Sequence, residues 1–171
     1  MENRDVLDGK IRRRILSQPF YKSAETVMTY LSYNSEPDTL ALVEIMLAEG
    51  KTVCSPVCGE GGRMEAFRFQ SFSELKPSKM GIWEPPETCL VPPQQIDLIL
   101  VPGCGFNSRG HRIGYGRGFY DRFLPKTSAV TCGLFYELLK TDFNEEKTDI
   151  PLQFIITEKT VYSFFSVSKG C

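Results

Sequence analysis

Apolar and polar positions fall into two kinds of block along this chain. In residues 5–18, Leu7, Ile11 and Ile15 recur every four positions, which is one face of a helix. A second short helix is expected over 20–24. VMTYLSY, residues 27–33, is rich in β-formers and predicts a strand. TLALVEIMLAEG, residues 39–50, predicts a helix begun by Asp38 or Thr39 and stopped at Gly50. A strand over 51–57, a turn over 59–62 and an alternating, half-buried strand over 64–70 follow. Residues 73–95 read as a proline-rich connection. The runs 96–102 and 129–136 are continuously apolar, and 154–164 closes the pattern as a strand or hairpin. Helices alternating with such runs imply an α/β fold whose mainly parallel sheet is covered on both faces. Ligands of such sheets sit beyond the carboxyl ends of the strands.

Composition narrows the class. The chain has 171 residues, which predicts a single domain over 1–171. Its 20 basic and 21 acidic residues give a net charge of −1, against the globally basic balance of a nucleic-acid binder. No apolar stretch approaches the ~18–20 residues of a membrane span, and the charged first residues lack a signal-peptide core. Six cysteines are spaced without a C-x-x-C and accompany one histidine, so neither a disulfide framework nor a zinc site is expected. They read as reduced thiols of a cytoplasmic protein, and Cys104 as a small loop residue.

The chemistry concentrates in 101–124, VPGCGFNSRGHRIGYGRGFYDRFL. The apolar run ends in a turn on Gly103 and Gly105. After a polar loop, Gly114, Gly116 and Gly118 alternate with Tyr115 and Arg117, and a helix-like segment from Phe119 to Leu124 carries Asp121. Closely spaced glycines leave successive N–H groups uncovered, an anion nest to which a helix N-terminus adds its dipole. Arg112, Arg117 and Arg122 bring positive charge. The pattern has neither the Gly-Lys-Ser/Thr of a P-loop nor the G-x-G-x-x-G spacing of a dinucleotide fold, yet it is built to hold phosphate.

These residues resemble the signature of the 5-formyltetrahydrofolate cyclo-ligase family. The match runs through Val101-Pro102-Gly103, Phe106, Gly110, Arg112-Ile113-Gly114, Gly116, Gly118 and Phe119-Tyr120-Asp121. Lys10 and Arg14 resemble the family's Lys-x-x-x-Arg helix, and Glu36-Pro37-Asp38-Thr39 its Glu-x-Asp/Glu-Thr step. Gly81-Ile82-Trp83-Glu84-Pro85 and Ile155-Ile156-Thr157-Glu158 also fit. The resemblance implies a three-layer α/β/α sandwich similar to ribose-phosphate isomerase and CoA-transferase-like folds. It implies an ATP- and Mg2+-dependent ligase acting on small molecules, without nucleic-acid or membrane partners and as a monomer. The implied reaction closes 5-formyltetrahydrofolate to 5,10-methenyltetrahydrofolate, through phosphorylation of the formyl oxygen and attack by N10, with ADP and phosphate released.

Carried over residue by residue, the resemblance assigns Lys10 and Arg117 to catalysis. It assigns ATP binding to Lys10, Arg14 and the run Arg112, Ile113, Gly114, Tyr115, Gly116, Arg117, Gly118, Phe119 and Tyr120. Folate binding falls to Tyr33, Glu36, Asp38, Tyr115, Gly116, Arg117, Gly118 and Phe119, with Glu36 accepting hydrogen bonds from pterin N–H groups and the aromatic rings as walls. Asp38 also suits a helix cap. Trp83 fits either a cover over a ligand or a packing role. Metal binding falls to Asp121 and Asp149, although Asp149 follows Thr148 where the family often has a histidine. His111 sits at a variable position and reads as a solvent-facing loop residue. A sugar-phosphate isomerase and a non-catalytic folate or nucleotide binder stay open as alternatives.

Overall fold

The computed structural model describes residues 2–164. Helix α1 (Arg4–Leu16) starts where the Asn3 side chain accepts a hydrogen bond from the Asp5 amide, with Asp5 in its first turn and Arg13 and Arg14 in its last. The short α2 (Pro19–Ser23), strand β1 (Thr26–Thr29), helix α3 (Leu40–Ala48) and strands β2 (Thr52–Cys58) and β3 (Met64–Phe69) follow. The proline-rich stretch holds three two-residue strands, β4 (Lys76–Pro77), β5 (Trp83–Glu84) and β6 (Leu90–Val91). Strand β7 (Leu98–Val101) leads to a hairpin of β8 (Gly105–Phe106) and β9 (Arg112–Ile113). Helix α4 (Phe119–Phe123) and strands β10 (Val130–Leu134), β11 (Phe154–Ile156) and β12 (Val161–Ser163) complete the order.

Eight strands form one sheet in the order β12-β11-β10-β7-β1-β2-β3-β6. The centre is parallel, from β11 through β10, β7 and β1 to β2, and antiparallel strands close both edges. Alternation along each central strand feeds two cores. Val27, Val53, Leu98 and Leu100 pack with Ile11, Ile15, Leu42, Val43 and Met46 from α1 and α3. Met28, Cys54, Ile99 and Val101 pack on the other face with Phe106, Phe123 and Leu124. The sandwich is therefore present, but its second outer layer is thin, built from the five-residue α4, a 3-10 turn over Leu124–Lys126 and loops.

Several strands are shorter than their apolar runs. The run 27–33 yields strand only to Thr29, although Tyr30 and Leu31 are buried. Loop side chains take the backbone groups instead. The Thr39 hydroxyl donates to the Tyr30 carbonyl at 2.7 Å and accepts from the Ser32 amide at 2.9 Å, and the Tyr30 hydroxyl donates to the Pro37 carbonyl at 2.9 Å. Asp38 caps α3, accepting from the amides of Leu40 and Ala41. The five cysteines of the described residues are free, and Cys171 lies outside that range. Among the described residues no helix is long and apolar enough to cross a membrane.

Candidate active site

The carboxyl ends of β1, β2 and β7 face one another through their loops. After β7, the chain forms the β8–β9 hairpin around a buried Asn107, whose side-chain oxygen accepts from the amides of Arg109 and His111, both at 3.0 Å. The chain then enters the glycine turn. Gly116 and Gly118 have φ of 85° and 65°, a region open to glycine at no steric cost. They flank Arg117. Gly114 instead leaves room, since a Cβ there would stand 3.0 Å from the Arg112 guanidinium.

The three arginines divide the work. Arg112 is buried beneath the turn, donating to the Pro102 carbonyl at 3.1 Å and lying 5.0 Å from the centre of the Tyr120 ring. Its Nε is buried with no partner, and no carboxylate pairs with it among the described residues. Arg122 is a strut. Its Nη2 donates to the Arg117 carbonyl at 2.6 Å and its Nε to the Gly62 carbonyl at 3.4 Å, tying the turn to the loop after β2. Gly62 suits that position through its φ of 78°, and a Cβ there would push the flexible end of Arg122 aside. Arg117 keeps its side chain exposed. Helix α4 is too short to supply much macrodipole, so arginine charge and loop amides carry the site's positive potential.

Glu36 joins this turn to the loop after β1. Its Oε2 accepts from the Tyr33 amide at 2.8 Å and its Oε1 from the Tyr115 hydroxyl at 2.7 Å. Burial pushes its carboxyl above the usual range, against the opposing pull of Tyr115, the Tyr33 amide and Arg4. The Tyr115 phenol is itself pushed up, by burial first and then by Glu36. Tyr33 and Tyr115 stay exposed, and Tyr33 lies against Gly81 in the β4–β5 hairpin that also presents Ile82 and Trp83. Glu84 of β5 is pushed up by burial and by Glu87. Burial and the Glu84 charge raise the Cys58 thiol at the end of β2 to about 11, while Arg117 opposes them.

Asp121 sits in the first turn of α4, and its Oδ1 accepts from the Ile150 amide at 3.2 Å. This places the segment carrying Asp149 beside it, while the Asp149 carboxylate accepts from the Glu146 amide at 2.8 Å. Among the described residues no group of three or more His, Cys, Asp or Glu could hold a metal. A carboxylate such as Asp121 is the donor type magnesium takes, one or two at a time together with substrate phosphates.

The other expected residues have partners of their own. Lys10 pairs with Glu2 at 2.9 Å, and Arg14 donates to the Glu158 carbonyl at 3.2 Å while its buried Nε has no partner. Phe119 and Tyr120 are partly buried against the second core, and the Arg122 guanidinium lies 5.8 Å from the centre of the Phe119 ring. Asp38 serves as the α3 cap and lies 3.8 Å from Arg12. His111 is not solvent-facing: its side chain is 14% exposed, 3.5 Å from Glu145, with a buried Nδ1 that has no partner. Arg4, Asp8 and Tyr136 escaped the sequence reading, although Arg4 and Asp8 share a helix face at i, i+4.

A model of the 5-formyltetrahydrofolate cyclo-ligase family matches residues 2–158. A 5-formyltetrahydrofolate cyclo-ligase of Escherichia coli strain K12 is 29% identical over 172 residues, covering 95% of this chain and 94% of that one. The NMR structure of Aquifex aeolicus 5,10-methenyltetrahydrofolate synthetase is similar with a TM-score of 0.83 and 30% identity, over 95% of this chain and 83% of that chain. A 5,10-methenyltetrahydrofolate synthetase from Mycoplasma pneumoniae shares the fold, with a TM-score of 0.74 and 23% identity over 91% of this chain and 87% of that chain. With the strand, glycine turn and following helix of the expected signature all in place, the chain belongs to the 5-formyltetrahydrofolate cyclo-ligase family.

Proposed function

We propose that this protein converts 5-formyltetrahydrofolate and ATP into 5,10-methenyltetrahydrofolate, ADP and phosphate. The observation that carries the reading furthest is Arg112, a buried guanidinium beneath the glycine turn with an unpartnered Nε and, among the described residues, no paired carboxylate. Burying a charge is costly without an opposite partner. A phosphate seated in the turn supplies that partner, with exposed Arg117 reaching it from the solvent side.

The chemistry asks little else of the chain. The formyl oxygen attacks the γ-phosphorus, and the bond to ADP breaks. N10 then attacks the formyl carbon, the carbon–oxygen bond to phosphate breaks, and the N10 proton passes to solvent. The formyl oxygen has no proton to lose, so the first step needs no base. Phosphoryl transfer depends on positioning and on charge neutralisation. Arg112, Arg117 and the loop amides hold the phosphates, together with Lys10 and Arg14 of α1, whose buried Arg14 Nε is likewise unpartnered. Glu36 accepts from pterin N–H groups, Tyr33 and Tyr115 flank the ring, and Trp83 covers it. Asp121, with Asp149 more weakly, would hold Mg2+, which when bound neutralises phosphate oxygens.

The free cysteines of the described residues suit the reducing cytoplasm. The test mixes the protein with 5-formyltetrahydrofolate, ATP and magnesium and follows the near-ultraviolet absorbance of the methenyl product. Growth that needs both ATP and magnesium supports the reading. Undiminished growth in excess chelator would sink the magnesium assignment, and folate binding without turnover would favour a binder.

A further inference from the structure

Three polar side chains meet where α1 passes the carboxyl ends of β1 and β10. Asp8 is 7% exposed, a buried carboxylate on a helix otherwise lined with solvent-facing charge. The Tyr136 hydroxyl, just beyond β10, donates to Asp8 Oδ1. Arg4 Nε donates to that same hydroxyl oxygen at 3.1 Å, and Arg4 Nη2 donates to the carbonyl of Glu36 at 2.6 Å. A hydroxyl donates once and still accepts, so the bonds run in one direction, from Arg4 to Tyr136 to Asp8. One turn further along the helix, Arg12 stands 3.8 Å from Asp38.

The costly member of this arrangement is Asp8, whose carboxylate is buried while the Arg4 guanidinium stays exposed. The arrangement ends on the backbone of one residue, Glu36. The carboxylate of that residue is held separately, by the Tyr33 amide and the Tyr115 hydroxyl. Backbone and side chain of Glu36 are thus fixed from three parts of the chain.

We infer that Arg4, Asp8 and Tyr136 are positioning residues, which set the Glu36 carboxylate for the pterin without touching the substrate. The inference rests on the assignment of Glu36 to the folate. Asp8 orients the Tyr136 hydroxyl and balances the Arg4 charge. Tyr136 fixes one side of the guanidinium, and the other side fixes the Glu36 carbonyl.

The test is steady-state kinetics of Arg4→Ala, Arg4→Lys, Tyr136→Phe and Glu36→Gln, with melting temperatures alongside. Arg4→Ala should raise KM for 5-formyltetrahydrofolate about tenfold, the scale of losing a charge-assisted hydrogen bond. KM for ATP should rise by a much smaller factor, since the glycine turn meets Glu36 only through Tyr115 among the bonds described. Arg4→Lys, which has the charge but not the fork, should recover only part of the loss. Tyr136→Phe keeps the ring and should move the folate KM the same way by a smaller factor. In a Glu36→Gln background, Arg4→Ala should add less than about twofold, because no carboxylate is left to place. Equal rises in both KM values, or full additivity with Glu36→Gln, would overturn the clamp. If Arg4→Ala melts early, Tyr136→Phe decides: an unchanged folate KM overturns the inference. A normal folate KM in Glu36→Gln removes the Glu36 assignment itself, whereas a raised one beside a normal Arg4→Ala removes only the clamp.

Discussion

Glu36→Gln isolates recognition from folding. The amide can keep both protein contacts: its oxygen accepts from the Tyr33 amide, now 2.8 Å from Oε2, and its NH2 faces the Tyr115 hydroxyl, now 2.7 Å from Oε1. That hydroxyl can turn to accept, so neither loop loses its tie. The variant loses the negative charge and its remaining acceptor capacity toward the pterin. Hydrogen bonds to a charged group are worth about 1.5–3 kcal/mol, so 5-formyltetrahydrofolate should bind roughly 10- to 150-fold more weakly. ATP affinity should stay within about twofold. Because Gln cannot ionise, the pH profile gives a second readout. Burial holds the Glu36 carboxyl above its ordinary range. Wild-type folate affinity should therefore fall as pH drops through that raised value, and the variant should lack this acid limb. Calorimetric titration of each ligand, from neutral pH downward, measures both effects. An equal loss for the two ligands, or a lower melting temperature with normal folate affinity, would refute the assignment.

Arg117→Ala should lower kcat/KM by about two to three orders of magnitude, the scale of one preorganised charge stabiliser. Its melting temperature should hold, because the side chain is exposed; unaltered kinetics would make Arg117 a solvated residue. Asp121→Asn keeps an oxygen for the Ile150 amide, so it should fold normally, need more magnesium and turn over far more slowly. A normal magnesium titration would return Asp121 to a helix-start role worth about 0.3–1 kcal/mol. Lys10→Ala should lower kcat/KM in the absorbance assay by about two to three orders of magnitude, because the exposed Glu2 pair is too weak to hold Lys10 from a triphosphate; unaltered kinetics would make Lys10 a solvated charge. Gly116→Ala should cost about 1–2 kcal/mol in denaturant unfolding through its positive φ alone, because a Cβ there meets nothing within 4 Å.

The central sheet was legible because Leu98 to Val101 is apolar on both faces and Val130 to Leu134 nearly so, the pattern of a parallel strand covered on both sides. The glycine turn was legible because Gly116 and Gly118 occupy backbone space that other residues avoid. Strand ends were not. The stop after Thr29 is set by Thr39 and Tyr30, whose hydroxyls compete for backbone groups only once the chain has folded back. Arg112, Arg117 and Arg122 look alike in sequence; burial sets Arg112 apart, and only the carbonyls that Arg122 reaches separate that strut from the exposed Arg117. Lys10 and Arg14 share spacing but not partners. Asp8 reads as a surface charge until Tyr136, 128 residues away, arrives to bury it.

The Tyr115–Glu36 hydrogen bond makes the loop assigned to folate and the loop assigned to ATP one mechanical unit. Whatever orders one loop lowers the entropy left to lose in the other, so the two substrates should bind cooperatively even where they do not touch. Linkage makes this coupling reciprocal: the factor by which ATP tightens folate equals the factor by which folate tightens ATP. A single hydroxyl would then decide how strongly either substrate commits the enzyme to the other, and so how seldom ATP is held, and exposed to water, without an acceptor beside it.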